Sequence, residues 1–237
     1  MTIAQKIIAE LQLHGRPIKV VGALKFFKTG KGEYAEGDKF WAVTVPEQRK
    51  IAGAFFTDTT ADDIAFLLAH PYHEARLTGV FILVKKFEKA KKQADRDFWA
   101  NVYLNNLGGI NNWDLVDSSA HKILGPWLEN GNRDVLYKLA ESENLWHKRI
   151  SMIATMHFIK KNDFDDALAL AAYHLHHPHD LMHKAVGWML REIGKKHLPT
   201  EEAFLEKIYR TMPRTALRYA IEKFTEQKRK DYLYGNI

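Results

Sequence analysis

The feature that most constrains this chain is a recurrence of helical patterns. The segments HEARLTGVFILVKKF (73–87), WHKRISMIATMHFIKK (146–161), MHKAVGWMLREIGKK (182–196) and PRTALRYAIEKF (213–224) share a basic start, a small or aliphatic middle and a basic end. Ala75, Arg149, Lys184 and Tyr219 occupy comparable places in them, with gaps of 74, 35 and 35 residues, and a helix starting near Asn112 fills the double gap. Further helical patterns run over 61–70, 142–161, 163–175, 180–196, 200–211 and 213–230, with short polar connections between them. Strand signals are scarce. Units of roughly 40 residues, each a helix pair that cannot bury its apolar face alone, belong to the HEAT-like class. The expected fold is an all-α, HEAT-like helical-repeat solenoid in which residues 1–237 form one domain. The glycine-rich, charged stretch 28–40 is expected to be a loop within it.

In a solenoid of this kind the second helix of each pair lines the inner surface. The recurrent starts would bring Arg76, Lys148, Arg149, Lys184, Arg214 and Arg218 toward one concave, basic side, the electrostatic footprint of a duplex backbone. The formal charge of +6 agrees with a polyanionic partner, although solvated helix ends would give the same pattern. Absence of cysteine excludes a disulfide framework and thiolate chemistry, and fits a reducing cytoplasm. The N-terminal MTIAQKIIAELQLHGRP reads as an amphipathic helix without the apolar core of a signal peptide, and no membrane span is expected. The histidine run at His174, His176, His177, His179 and His183 is interrupted by Pro178 and has no HExxH or cysteine pair beside it. It reads as a polar interhelical loop, with no metal expected.

One short stretch, NNWDLVDSSAHKIL (111–124), breaks the helix pattern chemically. Trp113 and Asp117 stand one turn apart on one helix face, where apolar core is expected. A carboxylate there needs a partner or a purpose, and His121, a further turn along, is one candidate partner. Asp114 reads as an ordinary dipole-favoured acid of a first helical turn.

Together, NNWDLVDSSAHKILGPWL, ENLWHKRISMIATMHFIKK and HKAVGWMLREIGKK resemble the signature helices of the AlkD-type alkylpurine DNA glycosylases, which are built of HEAT-like repeats. FWAVTVPEQRK, from residue 40, resembles that family's early G-[IV]-x-x-P-x-x-R segment. The resemblance implies that Asp117 is the catalytic aspartate. It also implies that Trp113 and Trp188 cradle the sugar of the lesion and that Arg149 faces the DNA backbone. The chain departs from the pattern at Ala42, where glycine is common, and at Phe26 or Phe27, where a tyrosine is frequent.

The implied activity is excision of cationic N3- or N7-alkylated purines from double-stranded DNA during base-excision repair, by a monofunctional glycosylase. Such a base leaves neutral and needs no proton. One fixed anion then suffices to stabilise the oxocarbenium-like sugar and to orient water. No cofactor is expected, nor a membrane partner, and the enzyme would act as a cytoplasmic, nucleoid-associated monomer of bacterial type. The alternative is a non-catalytic HEAT-like module that binds DNA or protein.

Overall fold

The computed structural model describes all residues, Met1–Ile237. It is all-helical; the one β-type contact is an isolated bridge between Lys39 and Tyr72. The α-helices are α1 (Ile3–Leu13), α2 (Val20–Phe26), α3 (Val45–Phe55), α4 (Ala61–Leu68), α5 (His73–Lys89), α6 (Gln93–Asn105), α7 (Trp113–Trp127) and α8 (Asp134–Glu141). They continue with α9 (Leu145–Ala154), α10 (Met156–Lys160), α11 (Asp165–Tyr173), α12 (Asp180–Lys196), α13 (Leu198–Ile208), α14 (Arg214–Ala220) and α15 (Glu226–Tyr234). The recurrent positions Ala75, Arg149, Lys184 and Tyr219 fall in α5, α9, α12 and α14, and α7 occupies the double gap. No helix is long and apolar enough to cross a membrane.

Local chemistry explains the helix starts. Thr2 with Gln5, Thr44 with Glu47 and Thr60 with Asp63 form reciprocal capping boxes at α1, α3 and α4. Two helical patterns are broken where the sequence alone suggests continuity. The pattern 142–161 divides into α9 and α10 at Thr155, whose hydroxyl donates to the Met152 carbonyl at 2.7 Å, a local bond that competes with the helical ladder. The pattern 213–230 passes through a 3-10 turn (Ile221–Lys223) and restarts at α15, capped by Thr225.

The chain forms two compact units, Met1–Ile123 and Leu124–Ile237, with the boundary inside α7. In the first, α5 is the central element and packs against α1, α3, α4 and α6. Leu77, Val80, Phe81, Ile82, Leu83, Val84 and Phe87 are all buried, and each contributes about 1.5–3 kcal/mol. That drive takes His73, Glu74 and Arg76 into the interior with them. In the second unit the central element is α12, against α9, α10, α11, α13 and α14. The glycine of its KAVGW segment permits the approach of α14. A Cβ on Gly187 would lie 2.3 Å from the Ala216 carbonyl oxygen and 2.5 Å from Tyr219 Cβ.

Gly187→Ala should therefore push α12 and α14 apart and lower the unfolding free energy by about 1–3 kcal/mol, read from the urea midpoint. An unchanged midpoint would contradict this packing.

Candidate functional site

The start of α7 is fixed by short-range bonds. The side-chain oxygen of Asn112, a fully buried residue, accepts the Trp113 N–H at 2.8 Å, and Asp114 accepts the Leu115 N–H at 3.0 Å. Trp113 is half-buried. Its indole stacks on Phe27, with centroids 5.6 Å apart and planes at 20°, and meets Phe26 edge-on at 5.9 Å. Both candidates for the place of the resembled tyrosine, Phe26 and Phe27, thus touch the tryptophan. Asp117, one turn along, is also half-buried. Its carboxylate is felt by Tyr103, whose hydroxyl lies 3.0 Å from Ser119 Oγ: burial first, and then the charge of Asp117, raise that phenol above its ordinary pKa.

Behind Trp113 lies a network that sequence reading missed. His73 is 2 % exposed. Its Nδ1 lies 3.0 Å from Asp38 Oδ2 and its Nε2 lies 2.8 Å from Asp114 Oδ2. Arg76 Nη2 reaches both oxygens of Asp38, at 2.8 and 2.7 Å, and its Nη1 donates to the His70 carbonyl at 3.0 Å. Burial alone would depress the pKa of His73, but the charge and hydrogen bond of Asp114, with those of Asp38, raise it to about 9. Burial likewise acts to raise Asp38, yet His73 and Arg76 outweigh it and hold that carboxyl below its ordinary value. The rings of Phe27 and Phe40 flank the imidazole at 4.6 and 4.8 Å.

The neighbouring Glu74 anchors the FWAVTVPEQRK segment. Its carboxylate accepts the N–H groups of Trp41, Ala42 and Val43 at 3.1, 2.7 and 3.3 Å. This holds Ala42 at φ +60°, a left-handed conformation that favours glycine. The departure noticed at Ala42 is thus a position where the backbone itself prefers glycine.

The expectation that Arg76 faces DNA is corrected here. Arg76 is 5 % exposed, and its guanidinium serves Asp38 and the His70 carbonyl, because α5 is surrounded by other helices. Trp113 and Asp117 lie in the first unit. Lys148, Arg149, Lys184, Trp188, Arg214 and Arg218 lie in the second. Arg149 is 4 % exposed and donates to the Leu181 carbonyl. Lys148 is half-buried, Lys184 pairs with Asp180 at 2.7 Å, and Arg214 and Arg218 are exposed. Half-buried Trp188 donates from Nε1 to Glu192 at 3.1 Å.

The histidine run serves the backbone around the start of α12. His177 Nδ1 accepts the His179 N–H, His179 Nδ1 accepts the Leu181 N–H as the N-cap, and His183 Nε2 donates to the His177 carbonyl. Burial, then the charges of His177 and Lys148, push His174 down to about 4.

Residues 7–224 match the family described as DNA alkylation repair enzyme. A solved structure described as a predicted DNA alkylation repair enzyme from Enterococcus faecalis shares the fold, with a TM-score of 0.69 at 15 % identity over 91 % of this chain and 99 % of that one. A comparison with curated proteins found no match.

Two outcomes follow from the first unit. Ala42→Gly should raise the unfolding free energy by about 0.5–1 kcal/mol, since it removes left-handed strain at a smaller entropic cost. A lower urea midpoint would contradict this. His73 has a folded-state pKa above its ordinary 6.5, so its contribution is complete below pH 6.5 and disappears as pH rises through about 9. Across that window the folded state holds the extra proton, and stability should fall by up to about 1.4 kcal/mol per pH unit. The difference between wild type and His73→Gln in urea titrations should show this slope. A difference independent of pH would contradict it.

Proposed function

Because the chain belongs to the DNA alkylation repair enzyme family, we propose that it is a monofunctional DNA glycosylase for cationic N3- and N7-alkylated purines such as 3-methyladenine and 7-methylguanine. The observation that carries this reading is the pair on α7: half-buried Asp117 one turn from Trp113, whose indole is backed by Phe27. A purine alkylated at N3 or N7 bears positive charge, so its glycosidic bond is weakened and the base departs neutral. The enzyme then has no leaving group to protonate. Its task is to stabilise the sugar as positive charge grows on it, and one fixed anion serves for that.

In this reading Asp117 faces the anomeric carbon of the lesion, stabilises the oxocarbenium-like sugar and orients the attacking water. Trp113 packs the deoxyribose and adds cation–π attraction of about 0.5–2 kcal/mol. Its stacked neighbour Phe27 restricts the indole, so that little rotamer freedom is lost on binding. The resemblance assigns Trp188 to the sugar of the lesion and Arg149 to the DNA backbone. Arg149 is as buried as Arg76 and its guanidinium donates to the Leu181 carbonyl, so a phosphate contact requires that bond to be exchanged. Lys148, Lys184, Arg214 and Arg218 supply sequence-independent attraction to the double-stranded backbone. Water ends the reaction, leaving an abasic site and no covalent enzyme intermediate.

Release of methylated bases from alkylated duplex DNA, followed by chromatography, tests the reading. Asp117→Asn should lower single-turnover release at least 100-fold, about 2.7 kcal/mol of transition-state stabilisation, while binding undamaged duplex as wild type does. Equal release by the two proteins would remove the role of Asp117. A wild type that binds DNA in a salt-dependent way and releases no base would favour the non-catalytic module instead.

A further inference from the structure

The imidazole of His73 stands between two carboxylates, one on the 28–40 stretch and one in the first turn of α7. A carboxylate only accepts hydrogen bonds, so satisfying both requires both ring nitrogens to donate, which only the imidazolium does. The same ring touches Phe27, and Phe27 stacks on Trp113. Two lines thus run from His73 to the tryptophan: an ionic one through Asp114, its neighbour in sequence, and an aromatic one through Phe27. Phe40 closes the cluster by stacking on both Phe27 and His73, at 4.9 and 4.8 Å.

We propose that His73 is a positioning residue for the lesion site: held between Asp38 and Asp114, its ring sets the first turn of α7 and the aromatic wall behind Trp113. This rests on the glycosylase reading above. The groups facing the imidazole are Asp38 from the 28–40 stretch, Asp114 from α7, and Arg76 and Glu74 from α5 itself. Arg76 secures Asp38 with two short bonds, and Glu74 is engaged by the backbone of residues 41–43. His70 takes the Arg76 N–H on its carbonyl, and burial together with Arg76 lowers its own pKa, so its ring stays neutral as pH rises. The proton of His73 is therefore the one whose loss opens this cluster. Once it leaves, one of the two carboxylates faces a lone pair instead of an N–H, and α7 loses one of its fastenings beside Trp113.

The test follows two signals in the full-length protein across pH 6 to 10: the His73 ring resonances, and the Trp113 indole N–H cross-peak, assigned with Trp113→Phe. The Trp113 peak should move with the midpoint of His73 in wild type and stay still through that range in His73→Gln. In Asp114→Asn, which removes one of the two anions, both midpoints should drop together by at least one pH unit. That variant carries the same test if His73→Gln does not fold. A Trp113 peak that ignores the titration of His73, or keeps moving in His73→Gln, overturns the proposal.

Single-turnover base release, corrected for enzyme-free DNA, should decline with the same midpoint and shift with it in Asp114→Asn. Release that stays constant while both signals titrate overturns the positioning role and leaves the glycosylase reading intact. Coupled signals in a protein that releases no alkylated base at any pH contradict the glycosylase reading and support the coupling.

Discussion

The imidazolium of His73 is the contact on which the first unit depends. Taking a carboxylate or an ammonium-like ion out of water costs several kcal/mol even after relaxation, and α5 carries His73, Glu74 and Arg76 into the interior together. The apolar side chains that follow on the same helix make this burial unavoidable, so the charges must meet partners inside. Asp38 and Asp114 provide two negative charges against the two positive ones of His73 and Arg76. Glu74 is met by three backbone N–H groups. The irregular 28–40 stretch is thereby pinned at its end, the FWAVT segment is bent through Ala42, and the first turn of α7 is held beside the aromatic cluster.

That arrangement matters for chemistry because it separates two acids three residues apart. Asp114 is absorbed by His73 and by the N–H of Leu115, and is not available to a substrate. Asp117 lies one turn along α7 from Trp113. A glycosidase for uncharged substrates uses two carboxylates, one of them to protonate the oxygen or nitrogen that would otherwise depart as an anion. A cationic purine makes the second acid unnecessary. Under the proposed glycosylase activity the WDLVD segment holds one structural acid and one catalytic acid, and their division of labour follows from their surroundings.

Much of this was legible in the sequence. The 3.6-residue periodicity and the 35-residue spacing found α5, α9, α12 and α14, because apolar faces that must be buried leave a strong periodic trace. The i, i+4 relation of Trp113 and Asp117 needed only helical geometry. The fate of Arg76 was not legible. HEAR reads as a basic helix start, and its inward turn is set by helices α3 and α4, which precede it in the chain, and α6, which follows it. One signal was present: three polar residues opening a helix with no polar face to receive them imply buried counter-ions. The counter-ion Asp38 lies in a stretch whose glycines suggested solvent, although its side chain is only 7 % exposed. The break at Thr155 escaped notice because a hydroxyl bonding back to its own helix leaves no mark on hydrophobic periodicity.

Under the proposed activity a single carboxylate suffices because the lesion itself carries the charge. The most direct measurement compares single-turnover release of 7-methylguanine and of hypoxanthine from otherwise identical duplexes. Release of 7-methylguanine is expected, and none of hypoxanthine above the enzyme-free background, since hypoxanthine is neutral and would have to be protonated as it leaves. Release of both at similar rates would contradict it.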